Sequence, residues 1–208
     1  MMEGKFITFE GSEGCGKSTQ ARLLYGFLKR KGHKVIFLRE PGGTKISEKI
    51  RQILLDKKND GMSPVCEMLL YMAARAQVVQ EIILPALRAG KIVLCDRFLD
   101  STIAYQGYGL GMDIGLIKGI GKFVTQGLQP DLTILLDMPL KEAFRCRAKN
   151  KDRIEERNIS YHKRVLGGYF KLAASQPKRI RVVKVLKFKV QTQEKIRCII
   201  MGFLRHGI

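Results

Sequence analysis

The sequence predicts an α/β fold in which a parallel sheet is covered by helices on both faces. Three observations carry that prediction. Five short apolar runs, each ending near an acid or a turn, are separated by longer segments with helical spacing. A glycine-rich loop lies between the first run and the first helical segment. Nowhere does an apolar run approach the roughly eighteen residues that a membrane span needs.

The elements follow in order. KFITFE (5–10) reads as the first strand and Thr19 to Arg30 as the first helix, with the glycine loop between them. KVIFLRE (34–40), KIVLCD (91–96), DLTILLD (131–137) and IRVVKV (180–185) read as the remaining strands. Strands alternating with helices pair in parallel through right-handed crossovers. Glu10, Glu40, Asp96 and Asp137 then fall at the carboxyl ends of strands, the edge at which open α/β sheets hold ligands. Residues 65–88 are apolar on too many faces for a surface helix, which leaves two readings, a central core helix or a subunit interface. The polar stretch 145–157 (RCRAKNKDRIEER) reads as a mobile excursion from the core. With no repeat and no Pro/Gly/Ser linker, residues 1–208 are expected to form one domain.

Composition narrows the class without choosing a function. The chain of 208 residues is 45% hydrophobic, enough for a sizeable core, and carries a formal charge of +19. Residues 141–208 hold 19 basic against 5 acidic side chains, whereas 1–140 hold 19 against 14. That field predicts attraction to anions and nothing narrower. The five scattered cysteines (Cys15, Cys66, Cys95, Cys146, Cys198) have no zinc-ligand spacing, and their odd number argues against a disulfide framework. The chain enters its first strand almost at once, leaving no room for a signal peptide, so a reduced, cytoplasmic protein with no membrane attachment is expected.

Gly11-Ser12-Glu13-Gly14-Cys15-Gly16-Lys17-Ser18 fits G-x-x-x-x-G-K-[ST] between a strand and a helix. Glycines let successive backbone N–H groups turn inward around phosphate, and the helix N-terminus before Thr19 adds partial positive charge. Lys17 is placed to reach the β- and γ-phosphates, and Ser18 to ligand Mg²⁺. No N-K-x-D signature of guanine binding occurs, and Asp96 is followed by Arg97 instead of a second acid. Those absences point away from GTPase switches and helicases and toward a small kinase. Cys15 reads either as a small filler or as a redox-sensitive thiol.

Six blocks in order, FEGSEGCGKSTQ (9–20), REPGGT (39–44), LLYMAAR (69–75), DRFLDSTIAYQGYG (96–109), PDLTILLD (130–137) and DRIE (152–155), resemble the thymidylate kinase family. The resemblance implies a P-loop kinase fold with a five-stranded parallel sheet and a short lid. It also implies a homodimer, Mg²⁺ dependence, and ATP and dTMP as substrates, with no obligate nucleic acid. By the same resemblance Glu13 holds the 3′-OH of the acceptor sugar, and Arg51 and Arg97 grip the acceptor phosphate. Asp96 binds Mg²⁺ directly or through water. Tyr71 stacks on thymine, in a place where the family is expected to have Phe, and Arg75 donates to O4. Ser101 and Gln106 lie along the base pocket, and Tyr105 crowds the sugar 2′ position. Bland readings stand beside these: Glu13 as a solvated loop acid, Arg51 as an exposed helix charge, Tyr71 as a core residue.

Some relatives carry a basic residue after the loop carboxylate, where this chain has Gly14. Positive charge is therefore expected from Arg145, Arg147, Lys149, Lys151 and Arg153, with Arg147 and Arg153 as catalytic lid cations and the rest a solvated charge run. The three histidines are not expected to act in catalysis. A second departure is KVLKFKVQTQEK (184–195), which replaces the family's I-D-A-like turn near adenine. The expected reaction is phosphoryl transfer from ATP to dTMP. The alternatives are a kinase for another deoxynucleoside monophosphate and an inactive, basic nucleic-acid-binding relative.

Overall fold

A computed structural model describes residues 4–147 and 151–206. Its sheet has strands β1 (Lys5–Gly11), β2 (Val35–Arg39), β3 (Ile92–Asp96), β4 (Leu132–Asp137) and β5 (Ile180–Lys184), all parallel, in the order β2-β3-β1-β4-β5. The five sequence-predicted runs are these five strands, within a residue or two. Register pairs Phe9 and Arg39 each with Asp96, so β2 and β3 finish level at their carboxyl ends and β1 runs on past them to Gly11. That shared edge is where the chain must turn, and it gathers the polar side chains.

Alternation along β1 sorts the two faces. Ile7 and Phe9 pack, with Leu94, Ile134 and Leu136, under α1 (Lys17–Arg30) and α9 (Lys189–His206), which contribute Leu24, Leu28, Ile196 and Ile200. Phe6 faces the other way, onto Val78, Val79, Ile83 and Leu87. These belong to the apolar segment 65–88, which is α3 (Pro64–Val78), a turn of π-helix (Val79–Ile83) and α4 (Leu84–Arg88) in succession. One side of it is core, with Met68, Met72, Val78, Val79, Ile83 and Leu87 buried, while Val65 and Leu69 stay exposed on α3. Further along this face, α5 (Leu99–Thr102), a π-helical segment (Ile103–Gly109), α6 (Ile114–Val124) and α8 (Ile159–Ser175) enclose Ile103, Tyr105, Ile117, Tyr161 and Tyr169.

Helix starts are marked as side-chain capping requires. Thr44 caps α2 (Lys45–Leu55) by accepting from Ser47 N, Ser63 caps α3 ahead of Pro64, and Asn158 caps α8. Helix α1 starts differently: its N-cap is Gly16, with φ 90° and no side-chain cap. An uncapped helix end presents free N–H groups and suits an anion. The short helix α7 (Leu140–Arg145) follows β4, and residues 151–157 form turns leading into α8.

Candidate active site

The loop from Gly11 to Thr19 wraps the start of α1. A side chain at Gly14 is excluded twice over: its φ is +80°, and a Cβ there would lie 2.0 Å from the Ala143 carbonyl oxygen. The end of α7 thus rests on the loop, and no basic residue fits at this position. Lys17 Nζ donates to the Ser12 carbonyl at 2.7 Å, curling its ammonium over the loop. The Ser18 hydroxyl donates to Asp96 Oδ2, while Asp96 Oδ1 is buried with no protein partner. Cys15 is buried, and its sulfur would be 2.9 Å from a Cβ on Gly11, so it packs as a small filler.

Two cavities open at the carboxyl edge of the sheet. One is lined by Gly14, Gly16, Lys17, Ser18, Thr19 and Asp96 of the phosphate loop and its strand neighbour. The other is lined by Glu13, Arg51, Tyr71, Arg75, Arg97, Ser101, Tyr105 and Gln106, which brings together all eight residues assigned to the acceptor from sequence. The two cavities meet on Glu13, Glu40, Arg51 and Arg97. Tyr71 is a cavity wall beside Leu55 and Ile154, not a member of the buried clusters. Arg51 is half-buried and donates to the Pro41 carbonyl, so it is not a free surface charge.

Arg97 is the hub of this edge. Its φ of 74° is a left-handed conformation that costs a side chain about 1–3 kcal/mol and is held only by surrounding contacts. Those contacts are many: Nη1 donates to the Gly11 carbonyl (3.2 Å), Ser101 Oγ and Tyr169 Oη (both 3.0 Å), and Nη2 to Glu13 Oε1 (2.5 Å) and Tyr105 Oη (3.0 Å). Burial works against the Glu13 carboxylate, but Arg97 and Lys17 outweigh it and hold its pKa down at about 2. Glu13 is therefore ionised and accepts from the Tyr105 hydroxyl at 2.9 Å, which fits it to receive a sugar hydroxyl and not to act as a general base. Glu10 has the opposite balance: burial and nearby Asp100 push it up to about 6 against the pull of Arg97. It accepts from Phe98 N, Ser101 Oγ and Tyr169 Oη, fixing the turn that carries Arg97. Ser101 lines the cavity, but its hydroxyl is committed to Glu10, Tyr169 and Arg97.

The structure separates the two arginines assigned to the lid. Arg147 stands beside the loop, its Cγ 3.2 Å from where a Gly14 Cβ would be, with the guanidinium stacked on Phe144 and donating to the Glu155 carbonyl. Arg153 is not brought to the phosphates: it is buried, donates to the Leu54 carbonyl and forms an ion pair with Glu67 at 2.6 Å. Glu67, itself fully buried, also binds Arg157 at 2.7 Å and accepts from Gln106 at 2.8 Å. A carboxylate buried this deeply needs several donors around it, and that demand recruits Arg153. The expected excursion at 145–157 is thus tied down on its described part, while Lys149 lies outside the described residues; Arg145 and Lys151 are exposed. His162 is buried, and burial together with Arg147 lowers its pKa to about 4, so it stays neutral. The departing segment 184–195 runs from the end of β5 through a short connection at 185–188 into the start of α9; Leu186 N donates to Thr192 Oγ1, and Gln20 Nε2 fastens the segment to α1 through the Lys189 carbonyl.

A phosphate loop facing an arginine-lined pocket across two shared carboxylates, Glu13 and Glu40, and two shared arginines, Arg51 and the strained Arg97, defines the class of P-loop kinases that act on small phosphorylated acceptors. A sequence model of the thymidylate kinase family matches residues 9–196. A thymidylate kinase of Thermoanaerobacter sp. (strain X514) is 46% identical over 204 residues, 98% of this chain and 100% of that one. Another, of Geotalea uraniireducens (strain Rf4), is 47% identical over 98% of this chain and 100% of its own. The crystal structure of thymidylate kinase from Ehrlichia chaffeensis superposes with a TM-score of 0.79 at 34% identity, covering 95% of this chain and 98% of that one. The chain belongs to the thymidylate kinase family.

Proposed function

We propose that the protein transfers the γ-phosphoryl group of ATP to dTMP, giving ADP and dTDP for dTTP synthesis. The observation that carries this reading is the meeting of two cavities on Glu13, Glu40, Arg51 and Arg97. Donor polyphosphate sits in the loop amides and on Lys17, and the acceptor phosphate reaches Arg51 and Arg97 from the opposite side. Tyr71 stacks on the base, Arg75 and Gln106 present donors to it, and Tyr105 crowds the 2′ position. Arg97 and Arg147 spread the charge of the phosphoryl group in flight. Ser18 and Asp96 would hold Mg²⁺, a fit supported by the buried, unpartnered Asp96 Oδ1. Bound there, that ion would supply positive charge to offset that of the donor phosphates. A coupled ADP-release assay over dTMP, dUMP, dCMP, dGMP and UMP tests the reading. The expected order puts dTMP first and dUMP about 10- to 200-fold slower, the worth of one methyl contact, with no turnover in Lys17→Ala. Equal efficiency on dTMP and dUMP, or dTMP left untouched, overturns it.

No general base is needed, because the second ionisation of a phosphate monoester lies near pH ~6 and the attacking oxygen is already anionic at neutral pH. As pH falls through that value the nucleophile is lost and the rate falls with it. Glu10 at about 6 and Glu40 at about 7 titrate in the same range, so the acceptor must be varied to tell them apart. With thymidine 5′-phosphorothioate, whose second pKa is lower, the acid limb of kcat/KM is expected to move down, and Glu13→Gln leaves it in place. An unmoved limb would assign it to the enzyme's carboxylates.

The same reading includes a homodimer in a reducing, cytoplasmic setting. Helices α2, α3 and α6 pack side by side and expose Ile46, Ile53, Leu69, Leu116 and, at 83%, Phe123. An apolar patch of this kind marks an interface, and a second copy of the chain is the occupant the family implies. Sedimentation equilibrium is expected to give twice the chain mass, and Leu69→Asp/Phe123→Asp to give the monomer. Among the described residues no helix is long and apolar enough to cross a membrane, and all five cysteines are free thiols.

A further inference from the structure

A second cleft, of about 360 Å³, lies between α6, the segment leading into β4, and the start of α5, and it shares no lining residue with the nucleotide cavities. Its volume is within the range of small-molecule sites. The floor is apolar, made by Phe98, Leu99, Ile103, Leu128 and Pro130. The rim carries Lys118 and Lys122 one helical turn apart, both exposed and without a salt-bridge partner among the described residues. Asp100 supplies the acid of this lining, and it is consumed by Arg179 in a bidentate pair at 2.7 and 2.9 Å. Thr125 lines the cleft too; it is fully buried, and its hydroxyl has no hydrogen-bond partner. Leaving a hydroxyl dry and unpaired is costly, so a native structure that does so at a cleft wall points to a ligand that supplies the partner.

We propose that this cleft binds an organic anion with a flat apolar body and a single negatively charged head. The body would cover the Phe98–Leu128 floor, the head would sit between Lys118 and Lys122, and an acceptor atom would meet Thr125. A phosphate without an apolar body gains nothing from the floor, and a cation is repelled by the rim, so the chemistry of the lining selects this class.

8-Anilinonaphthalene-1-sulfonate has that chemistry and reports its own burial by fluorescence. Titrated into the full chain with dTMP and ADP at saturation, it is expected to fill one site per chain with an affinity that the nucleotides do not change. Lys118→Glu/Lys122→Glu, on exposed positions that leave the thermal unfolding midpoint in place, is expected to weaken it at least tenfold. Thr125→Val should weaken it severalfold. Lys195→Glu/Arg205→Glu makes the same charge change on α9, across the sheet, and should leave it unaltered. Displacement by the nucleotides, unchanged affinity in the Lys118/Lys122 variant, or an equal loss in the α9 variant would each overturn the proposal.

Discussion

Arg97→Ala is expected to lower kcat/KM for dTMP by about 10³-fold or more, the order observed when an arginine that neutralises phosphoryl-transfer charge is removed. Two separate losses combine. The guanidinium, like that of Arg51, lines both nucleotide cavities, and it also anchors Glu13, Tyr105, Ser101 and Tyr169. Arg97→Lys keeps the charge but cannot span these partners, because an ammonium lacks the planar fork, and should recover only part of the rate. A structural role alone would spare the rate once the variant is folded, so activity within tenfold of wild type would refute the assignment. Stability supplies an independent readout. Glu13 is held near 2, below its unfolded value, so it stabilises the fold above pH ~4.5, and that contribution is lost as pH falls from there toward 2. Removing Arg97 takes away the chief attraction behind that shift. The stability difference between wild type and Arg97→Ala should therefore be largest above pH ~4.5 and shrink on acidification.

Much of this site was legible in the sequence because its parts are local. Glycine spacing, a strand before and a helix after are enough to place Lys17 and Ser18. The register of a parallel sheet then brings Glu10, Glu40 and Asp96 to the same edge. The eight acceptor residues came from the family resemblance and converge on one cavity. What failed is the part that depends on distant pairing. Arg153 sits in a run of alternating basic residues that looks like a free lid, and nothing in that run announces Glu67, 86 positions earlier. Only the packing of α3 shows that Glu67 is fully buried and must recruit donors. Tyr169 was missed for the same reason: on α8 it has the spacing of a core residue, and its hydroxyl reaches Arg97 and Glu10 across the domain. Gly14 was read as a missing cation, but the approach of Ala143 shows that the backbone leaves no room for one.

The second large effect concerns Arg75, which is 2% exposed and paired with equally buried Glu40 at 2.7 Å. Its Nη1 donates to Thr102 Oγ1 at 3.0 Å, and both members of the pair line the acceptor cavity. Arg75→Met keeps the length of the stem and removes the charge, which leaves Glu40 buried with no counter-ion. Breaking a buried pair from one side costs about 3–5 kcal/mol, to be measured by urea unfolding. The sign of its pH dependence follows from Glu40. Burial already raises that carboxyl to about 7 against the pull of Arg75, so its ionisation opposes folding as pH rises from about 4.5 through 7. Without Arg75 the opposition grows, so the deficit of Arg75→Met should be greatest at pH 8 and smallest near pH ~5, where Glu40 is protonated. Glu40→Gln/Arg75→Met removes the stranded charge and should regain most of the stability. Activity should not return with it if Arg75 is the proposed donor to thymine O4, because that donor is still absent. A charged hydrogen bond is worth about 1.5–3 kcal/mol, so kcat/KM for dTMP is expected to stay about 10- to 100-fold down in both variants while dCMP turnover does not fall. A double variant that regained dTMP activity together with stability would reduce Arg75 to a structural partner of Glu40.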